Sequence, residues 1–197
     1  MIKAVAGVDI GSLTAKAAIL DSRGDVIGSS VVPAGIVNER TAEASLARAL
    51  RHARLTAADL AFVVTTGYGR TLVKFGNKNV TEISCHARGA HYLLPDVRTV
   101  IDIGGQDSKA IVLDGKGKVV NFTMNDKCAA GTGRFLEVMA RALGVELEDM
   151  GPLSLQSRNP AQVSAMCTVF AESEIISLAS KNVPKTDIIA GLHGVER

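Results

Sequence analysis

The chain is 197 residues long, carries a formal net charge of +2 at pH 7 and contains few aromatic residues. This length can bury a substantial core in one large or two small domains, whereas the nearly balanced charge, without a basic stripe, disfavours nucleic-acid binding. No run of roughly eighteen apolar residues is present, and Met1 leads almost directly into a strand pattern, so we expect no membrane span, no signal peptide and a cytoplasmic location.

The predicted elements form two similar series along the chain. Alternating apolar and β-branched residues predict strands, and apolar residues at helical spacing predict helices. The first series has strands at 4–9, 15–21, 25–32 and 60–65 and helices over 41–53, which Thr41 can cap, and 85–94. The second has strands at 98–103, 108–114 and 118–124, helices over 135–143 (ended by Gly144), 169–180 and 186–197, and an irregular stretch at 153–160. This order predicts an α/β fold of two lobes, residues 1–96 and 97–197, with a cleft between them.

A gapless repeat links the two series. The segment DIGSLTAK, which begins at Asp9, aligns with DIGGQDSK, which begins at Asp102, and the aspartates and the final lysines are both 93 residues apart (102 − 9 = 93; 109 − 16 = 93). A strand, a tight glycine turn and a second strand direct successive backbone N–H groups into the turn, where they can bind an anion. Two copies in one register therefore predict a duplicated lobe with two phosphate-binding turns.

The side chains of the two turns suit magnesium and phosphate chemistry. Carboxylates can hold the waters around Mg²⁺ and an amide can orient an attacking water; the candidate catalytic residues are Asp9, Asp102 and Gln106. Candidate nucleotide-binding residues, which offer backbone N–H groups, hydroxyls or charge, are Gly11, Ser12, Thr14, Lys16, Gly104, Gly105, Gln106, Asp107, Ser108 and Lys109. Turn capping is an equal alternative for Gln106 and Asp107. Further candidate contacts, or else a glycine-rich start of a helix, are Gly131, Gly133 and Glu137.

The three cysteines are Cys85, Cys128 and Cys167. Disulfides are disfavoured in a cytoplasmic chain, so each thiol is either part of the core or a ligand. Cys128 and Cys167 precede predicted helices, where backbone N–H groups and the helix dipole favour a thiolate, whereas Cys85 falls on an apolar-faced helix and is interpreted as core. Two cysteines cannot complete a four-cysteine iron–sulfur site, so the residues alone leave ligation and burial equally open.

DIGSLTAK and DIGGQDSK resemble the two phosphate motifs of the actin/Hsp70/sugar-kinase ATPase superfamily, whose fold is ribonuclease H-like. Together with NDKCAAGTGRFLE and AMCTVFAESEIISL, they resemble activators of 2-hydroxyacyl-CoA dehydratases and ATPase subunits of benzoyl-CoA reductases over nearly the whole chain. The resemblance implies duplicated βββαβα lobes around a nucleotide cleft that binds ATP or ADP with Mg²⁺. It also implies a later glycine-rich adenosine motif, which the sequence after Ile189 lacks, so we expect a truncated second lobe.

The same resemblance implies a cofactor, partners and a function. In that family two cysteines from each of two identical subunits hold one [4Fe–4S] cluster, and motif position assigns these ligands to Cys128 and Cys167. The implied function is ATP-dependent, low-potential electron transfer from a reduced ferredoxin or flavodoxin, through a cluster at a homodimer interface, to an iron–sulfur acyl-CoA dehydratase or reductase. The alternatives are a small-molecule kinase with buried cysteines and a nucleotide-sensing module without a cluster.

Overall fold

The computed structural model describes residues 4–35, 39–164 and 167–195, with eight strands and six α-helices among them. The strands are β1 (Ala4–Ile10), β2 (Thr14–Leu20), β3 (Val26–Pro33), β4 (Leu60–Thr66), β5 (Lys78–Asn79), β6 (Thr99–Ile103), β7 (Ser108–Leu113) and β8 (Val119–Asn125). The helices are α1 (Glu39–Ala53), α2 (Glu82–Leu93), α3 (Gly133–Leu143), α4 (Leu147–Ser154), α5 (Thr168–Ser180) and α6 (Lys185–Val195). Every predicted strand and helix is present, and β5 and α4 are additional; the predicted helix end at 196–197 lies outside the described residues.

The first sheet has the strand order β3-β2-β1-β4-β5. β1 pairs antiparallel with β2 and parallel with β4. Alternate residues of β1 are buried, as expected for a strand with one face on the core, and they pack with buried residues of α1. Gly28 of β3 permits this packing, because a Cβ atom there would lie 2.5 Å from the carbonyl oxygen of Ala49 in α1. The central strand therefore leads directly from this core to the first glycine turn.

The five helices that the sequence predicts all begin one to three residues earlier in the structure, α1 and α2 among them. α1 already includes Glu39, so Thr41 is not its cap; its hydroxyl instead donates to the carbonyl oxygen of Ala34 at 3.3 Å. α2 begins at Glu82 because Thr81 is the N-cap, with its hydroxyl accepting from the backbone N–H of Ser84 at 3.4 Å. The first turn of α1 is polar and the cap of α2 lies ahead of its apolar periodicity, so apolar spacing places both helix starts too late.

The second sheet has the order β6-β7-β8, and one of its faces is covered. Ile111 and Leu113 of β7 are buried together with Ala87 of α2. On the other face the exposed apolar side chains include Ile101 at 75%, Ile103 at 62% and Val120 at 66%. The first sheet buries the residues that the repeat aligns with Ile101 and Ile103, namely Val8 and Ile10. The two sheets thus share a sequence pattern but differ in which face is covered.

The last four helices form their own core. Phe135 and Met139 of α3 pack with Ile175 of α5 and with buried residues of α4 and α6. α3 ends at Gly144, whose φ of 61° is the left-handed C-cap geometry, as predicted. The prediction of irregular structure after residue 152 was wrong at its start, because α4 extends to Ser154. Pro152 lies inside α4, which disfavours a helix locally, but burial of Met150 at 2% exposure stabilises it.

By compactness the chain divides into two units. The first unit comprises Met1–Val100 and Ile111–Phe122, and the second comprises Ile101–Ala110 and Thr123–Arg197. The division passes through the second sheet, so the first glycine turn belongs to one unit and the second glycine turn, with both candidate ligand cysteines, to the other. The lobes at 1–96 and 97–197, which rest on the sequence repeat, stay a prediction. Of the helices in the described part of the chain, none combines the length and apolar character needed to cross a membrane.

Candidate functional site

The first glycine turn joins β1 to β2. It is closed by a hydrogen bond of 3.0 Å from the backbone N–H of Gly11 to the carbonyl oxygen of Thr14. Asp9 and Lys16 lie opposite each other on the two strands, and the Lys16 ammonium contacts the Asp9 carboxylate at 3.0 Å. The Lys16 side chain is 46% exposed. A half-exposed cation therefore stands beside a carboxylate at a turn that also presents the Ser12 hydroxyl.

The loop after β4 lies directly against this turn. The backbone N–H of Gly69 donates to the carbonyl oxygen of Ile10 at 2.9 Å. Gly67 has a φ of 85°, and a Cβ atom there would collide with the Asp9 carboxylate and lie 2.5 Å from the Ile10 oxygen. The Arg70 guanidinium donates to the Gly67 carbonyl oxygen at 3.0 Å. Gly67 thus belongs to the surroundings of Asp9. The glycine pattern at 66–70 by itself predicts a turn from strand to helix, with a loop that closes over phosphates as the alternative.

The second glycine turn joins β6 to β7 and repeats the backbone geometry of the first. The backbone N–H of Gly104 donates to the carbonyl oxygen of Asp107 at 2.8 Å, the equivalent of the bond from Gly11 to Thr14 under the 93-residue offset. The next hairpin also repeats, because Asp21 and Asp114 each accept backbone N–H groups of the following turn. The repeat in the amino-acid sequence is therefore also a repeat in the pattern of hydrogen bonds.

The side chains of the second turn differ from those of the first. Lys109 is buried, and its ammonium contacts Asp107 at 2.6 Å and Asp102 at 3.4 Å. Asp107 is also buried, whereas the Asp102 side chain is 19% exposed. Gln106 is exposed at the tip of the turn. The buried Lys109 ammonium therefore contacts two carboxylates of the same unit, whereas the Lys16 side chain contacts one carboxylate and is about half exposed to solvent.

The segment after β8 carries Cys128. The Asn125 side-chain oxygen accepts from the backbone N–H groups of Lys127 at 3.3 Å and Cys128 at 3.2 Å. The Asn125 side-chain nitrogen donates to the carbonyl oxygen of Cys128 at 3.3 Å. Cys128 is half-buried. Four residues separate Cys128 from α3. The dipole of α3 acts within the first turn of the helix, so Cys128 is farther from it than the sequence predicts.

The first residues of α3 are bonded to the second glycine turn. The backbone N–H of Gly133 donates to the carbonyl oxygen of Gly104 at 3.0 Å, and that of Arg134 donates to Gly105 at 2.9 Å. Thr132, the N-cap residue of α3, is fully buried. Among the further predicted contacts, Gly133 therefore touches the turn itself, while the Glu137 carboxylate pairs with Arg134 at 3.1 Å. The amino end of α3 and the second turn form one hydrogen-bonded assembly.

Cys167 lies at the amino end of α5. It is the N-cap residue, is exposed, and its carbonyl oxygen accepts from the backbone N–H of Ala171 at 2.8 Å. The Glu174 carboxylate on α5 accepts from the backbone N–H and the hydroxyl of Ser164, at 3.1 and 3.0 Å, before the chain reaches Cys167. Cys167 thus occupies the predicted position, where free N–H groups of a helix favour a negatively charged ligand.

The donor set of this chain fits half of a cluster site. In the described ranges 4–35, 39–164 and 167–195 there is no group of three or more His, Cys, Asp or Glu side chains that could hold a metal ion. Cys128 is half-buried in the segment before α3, and Cys167 is exposed at the start of α5. Cys85, interpreted as core from the sequence, is also only half-buried and lies within α2. Four thiolates are the usual ligands of a [4Fe–4S] cluster, so two copies of this chain would supply the full number.

These features, a duplicated α/β fold with a glycine turn of equivalent geometry in each half, define the class of actin/Hsp70-like ATPases. A model of the BadF/BadG/BcrA/BcrD ATPase family matches residues 6–195. The chain belongs to this family, which confirms both the predicted relationship and the predicted class of activity, an ATPase.

Individual relatives agree with this assignment. The chain is 48% identical over 187 residues to the activator of lactoyl-CoA dehydratase of Anaerotignum propionicum, covering 95% of this chain and 72% of the relative. It is 37% identical over 192 residues to a benzoyl-CoA reductase component of Thauera aromatica, covering 95% and 68%. The activator of 2-hydroxyisocaproyl-CoA dehydratase from Clostridium difficile, solved with ADPNP, superposes with a TM-score of 0.91 at 43% identity, covering 100% of this chain and 72% of that structure. The predicted fold class is thereby confirmed.

Proposed function

We propose that this protein is an ATP-dependent electron-transfer activator of an iron–sulfur enzyme that acts on acyl-CoA substrates. It accepts an electron from a reduced ferredoxin or flavodoxin and passes it, through a [4Fe–4S] cluster shared by two copies of the chain, to a 2-hydroxyacyl-CoA dehydratase or an acyl-CoA reductase. The proposal is supported by membership of the ATPase family, by the names of the relatives, and by the position of Cys128 in the segment before α3, which is bonded to the second glycine turn.

The observation that carries the proposal is the pair of hydrogen bonds between α3 and the second glycine turn. Gly133 and Arg134 donate to Gly104 and Gly105 at 3.0 and 2.9 Å. Because backbone hydrogen bonds are short and directional, a movement of the turn on phosphate binding or release must either move the start of α3 or break these bonds. The segment with Cys128 ends at α3, so the turn and the thiol are mechanically connected over a few residues.

The turns themselves are proposed to bind the nucleotide phosphates. Backbone N–H groups and hydroxyls of each turn supply neutral donors, and Lys16 supplies an exposed positive charge. Asp9 and Asp102 are each suited to hold waters of Mg²⁺, which retains several waters when bound to nucleotide, and Gln106 would orient an attacking water. The proposed phosphate-binding residues are Gly11, Ser12, Thr14, Lys16, Gly104, Gly105 and Ser108.

Cys128 and Cys167 are proposed as the cluster ligands from each copy. When bound, the cluster supplies one-electron transfer at a potential set by its exposure and by hydrogen bonds to sulfur. The exposed face of α5 supports a second copy at this place. Beyond Cys167 it presents Val169 and Phe170, at 67% and 68% exposure, and Ile176 at 54%. Aromatic and aliphatic side chains clustered next to a ligand are typical of a buried interface core.

Iron and sulfide analysis of protein purified without oxygen tests the proposal, together with its absorption spectrum and its mass in solution. We expect about four irons per dimer and a broad brown absorbance in the wild-type protein. Cys128→Ala and Cys167→Ala should lose iron while still binding a fluorescent ADP analogue, because neither thiol belongs to the glycine turns.

Cys85→Ala is the matched control, since its half-buried thiol lies within α2, and we expect it to keep its iron. An iron-free monomeric wild type that binds nucleotide would contradict the cluster assignment. A phosphorylated small-molecule product would replace the proposal with a kinase function.

A further inference from the structure

Cys128 lies in an irregular segment, residues 126–132, that leads from β8 into α3. A ligand on such a segment loses conformational freedom when it binds iron, and this loss weakens binding unless the segment is already held in place. On its carboxyl side the segment is anchored by Thr132, whose hydroxyl and N–H both donate to the carbonyl oxygen of Ala129, at 2.5 and 3.0 Å. The position of the thiol therefore depends on what anchors the other side.

The Asn125 side chain provides that anchor through three hydrogen bonds. Its oxygen accepts from the backbone N–H groups of Lys127 and Cys128, and its nitrogen donates to the carbonyl oxygen of Cys128. A primary amide has both an acceptor with two lone pairs and a donor, so one side chain holds the Cys128 backbone at its N–H and at its carbonyl. Three bonds within 3.2–3.3 Å fix the direction of the Cα–Cβ bond.

Common substitutes for asparagine could not make the same contacts. A carboxylate would accept the two N–H groups but would place a negative oxygen against the Cys128 carbonyl and near the thiol. A serine hydroxyl is a weaker acceptor for a following N–H and cannot bridge to the carbonyl at the same time. The arrangement is therefore specific to the amide of Asn125.

Asn125 lies outside the buried cores of the fold. The residue is exposed, it is the last residue of β8, and β8 is an outer strand of the sheet β6-β7-β8. Exposed positions away from caps and cores usually change stability little when they are substituted. A large effect of Asn125 on the behaviour of Cys128, without a matching loss of stability, would therefore reflect positioning of the ligand.

From these contacts we infer that Asn125 is a positioning residue for Cys128, holding the thiol ready for iron. This inference rests on the proposed function, because it assigns Cys128 as a ligand. The predicted consequences concern both states of the protein. Without iron, the bonds restrict the exposure and motion of the thiol. With iron, they fix the sulfur position and the hydrogen bonds around it, which contribute to the reduction potential.

The test compares Asn125→Ala and Asn125→Ser with Asn121→Ala. Asn121 is a matched control because it lies on the same strand, is exposed, and its side chain accepts only a local N–H, that of Phe122 at 2.9 Å, among the bonds the structure describes. Three measurements are made on the full chain. They are the alkylation rate of each cysteine by iodoacetamide in iron-free protein, iron loss to a ferrous chelator, and the electron paramagnetic resonance spectrum and reduction potential of the reduced protein.

In Asn125→Ala we expect Cys128 to react about tenfold faster, since a few hydrogen bonds of ordinary strength are lost, while Cys85 and Cys167 keep their wild-type rates. Iron loss should accelerate by a similar factor, and the spectrum and potential should shift. Asn125→Ser should give rates between those of the wild type and Asn125→Ala. If Asn125→Ala does not fold, Asn125→Ser provides the test of the inference. Asn121→Ala should match the wild type in each measurement.

Two results separate this inference from the proposed function. If the wild type holds no iron but Asn125→Ala still accelerates alkylation of Cys128 alone, the positioning of Cys128 stands and the cluster assignment fails. If the wild type holds iron and both Asn125 variants match Asn121→Ala in alkylation, iron loss and potential, the inference is overturned while the cluster assignment stands.

Discussion

Lys16 and Lys109 show how two residues in equivalent sequence positions acquire different physical roles. Both follow an aspartate by seven positions on adjoining strands, and both contact that aspartate. Lys16 has 46% of its side chain exposed, whereas Lys109 has 3% and contacts a second carboxylate, Asp107. The second carboxylate comes from residue 107, where the first turn has Thr14. The burial comes from the covered face of the sheet, because β7 buries Lys109 together with Ile111 and Leu113, whereas β2 buries the residues on either side of Lys16.

Replacement of Lys109 by alanine should therefore destabilise the protein far more than replacement of Lys16. Removal of one partner of a buried ion pair leaves uncompensated charge, which costs about 3 kcal/mol or more, and in Lys109→Ala two carboxylates would be left facing each other. In Lys16→Ala the lost pair is solvent-screened and should cost less than about 1 kcal/mol. The free energy of unfolding measured by urea denaturation distinguishes the two. Equal losses would show that the burial of Lys109 carries no energetic weight.

At the scale of elements, short carboxylate bridges hold the loop between α4 and α5. The Asp187 carboxylate of α6 accepts from the Ser157 hydroxyl at 2.7 Å and from the backbone N–H groups of Arg158 and Asn159 at 3.2 and 3.3 Å. The hydrogen bond from Ser157 is the main influence that lowers the pKa of Asp187 below its ordinary value of 3.8, and the two N–H groups add to it. Asp187 thus anchors the start of a loop whose later part, at Ser164, is held by Glu174.

Asp187→Asn should reduce stability at neutral pH, and the difference from the wild type should shrink in acid. Because the folded protein lowers the pKa of Asp187, the ionised carboxylate contributes stability that is fully present above the unfolded pKa and is lost as the pH falls through the folded pKa. Thermal unfolding of both proteins between pH 7 and pH 3 measures this. Asp96→Asn, at an exposed position, is the control. A difference that stays constant below pH 3.8, the ordinary value, would contradict the expectation.

At the scale of the molecule, the exposed face of α5 is the surface that a second copy of the chain would cover in the proposed dimer. Val169, Phe170 and Ile176 are all more than half exposed, although α5 also buries Ala171 and Ile175 in the core of its unit. Burial of large apolar side chains stabilises association by roughly 25 cal/mol per Å² of surface removed from water, before the costs of binding are subtracted. This surface lies directly after Cys167 in the chain.

Phe170→Ser should therefore weaken the proposed dimer of iron-loaded protein. An aromatic residue at the centre of an interface commonly costs about 2 kcal/mol or more when truncated, or about thirtyfold in the dissociation constant. Sedimentation of anaerobic protein at several concentrations measures the change. Leu155→Ser, which alters a side chain that is 87% exposed elsewhere in the same unit, should leave the dimer intact. A dimer equally stable in both variants would place the interface on another surface.

Much of the fold could be predicted from local patterns. Strands and helices followed from apolar periodicity, and the C-cap at Gly144 followed from the need for a left-handed residue. The misplaced start of α2 and the missed helix α4 depend on features that apolar spacing does not report. Thr81 caps α2 ahead of its apolar periodicity, and α4 forms despite Pro152 because Met150 packs in a core that other helices complete.

The site divides in the same way. The sequence by itself determined the two glycine turns, the aspartate and lysine of each turn, and the three thiols, because these depend on residue type and spacing along the chain. Only the tertiary structure decided that Gly67 lies against Asp9, that Lys109 is buried between two carboxylates, and that Asn125 and the start of α3 hold the segment of Cys128. Such contacts depend on which strands and helices lie next to each other in the folded chain. The pattern of apolar and polar residues along the sequence predicts the elements but not which of their atoms come into contact.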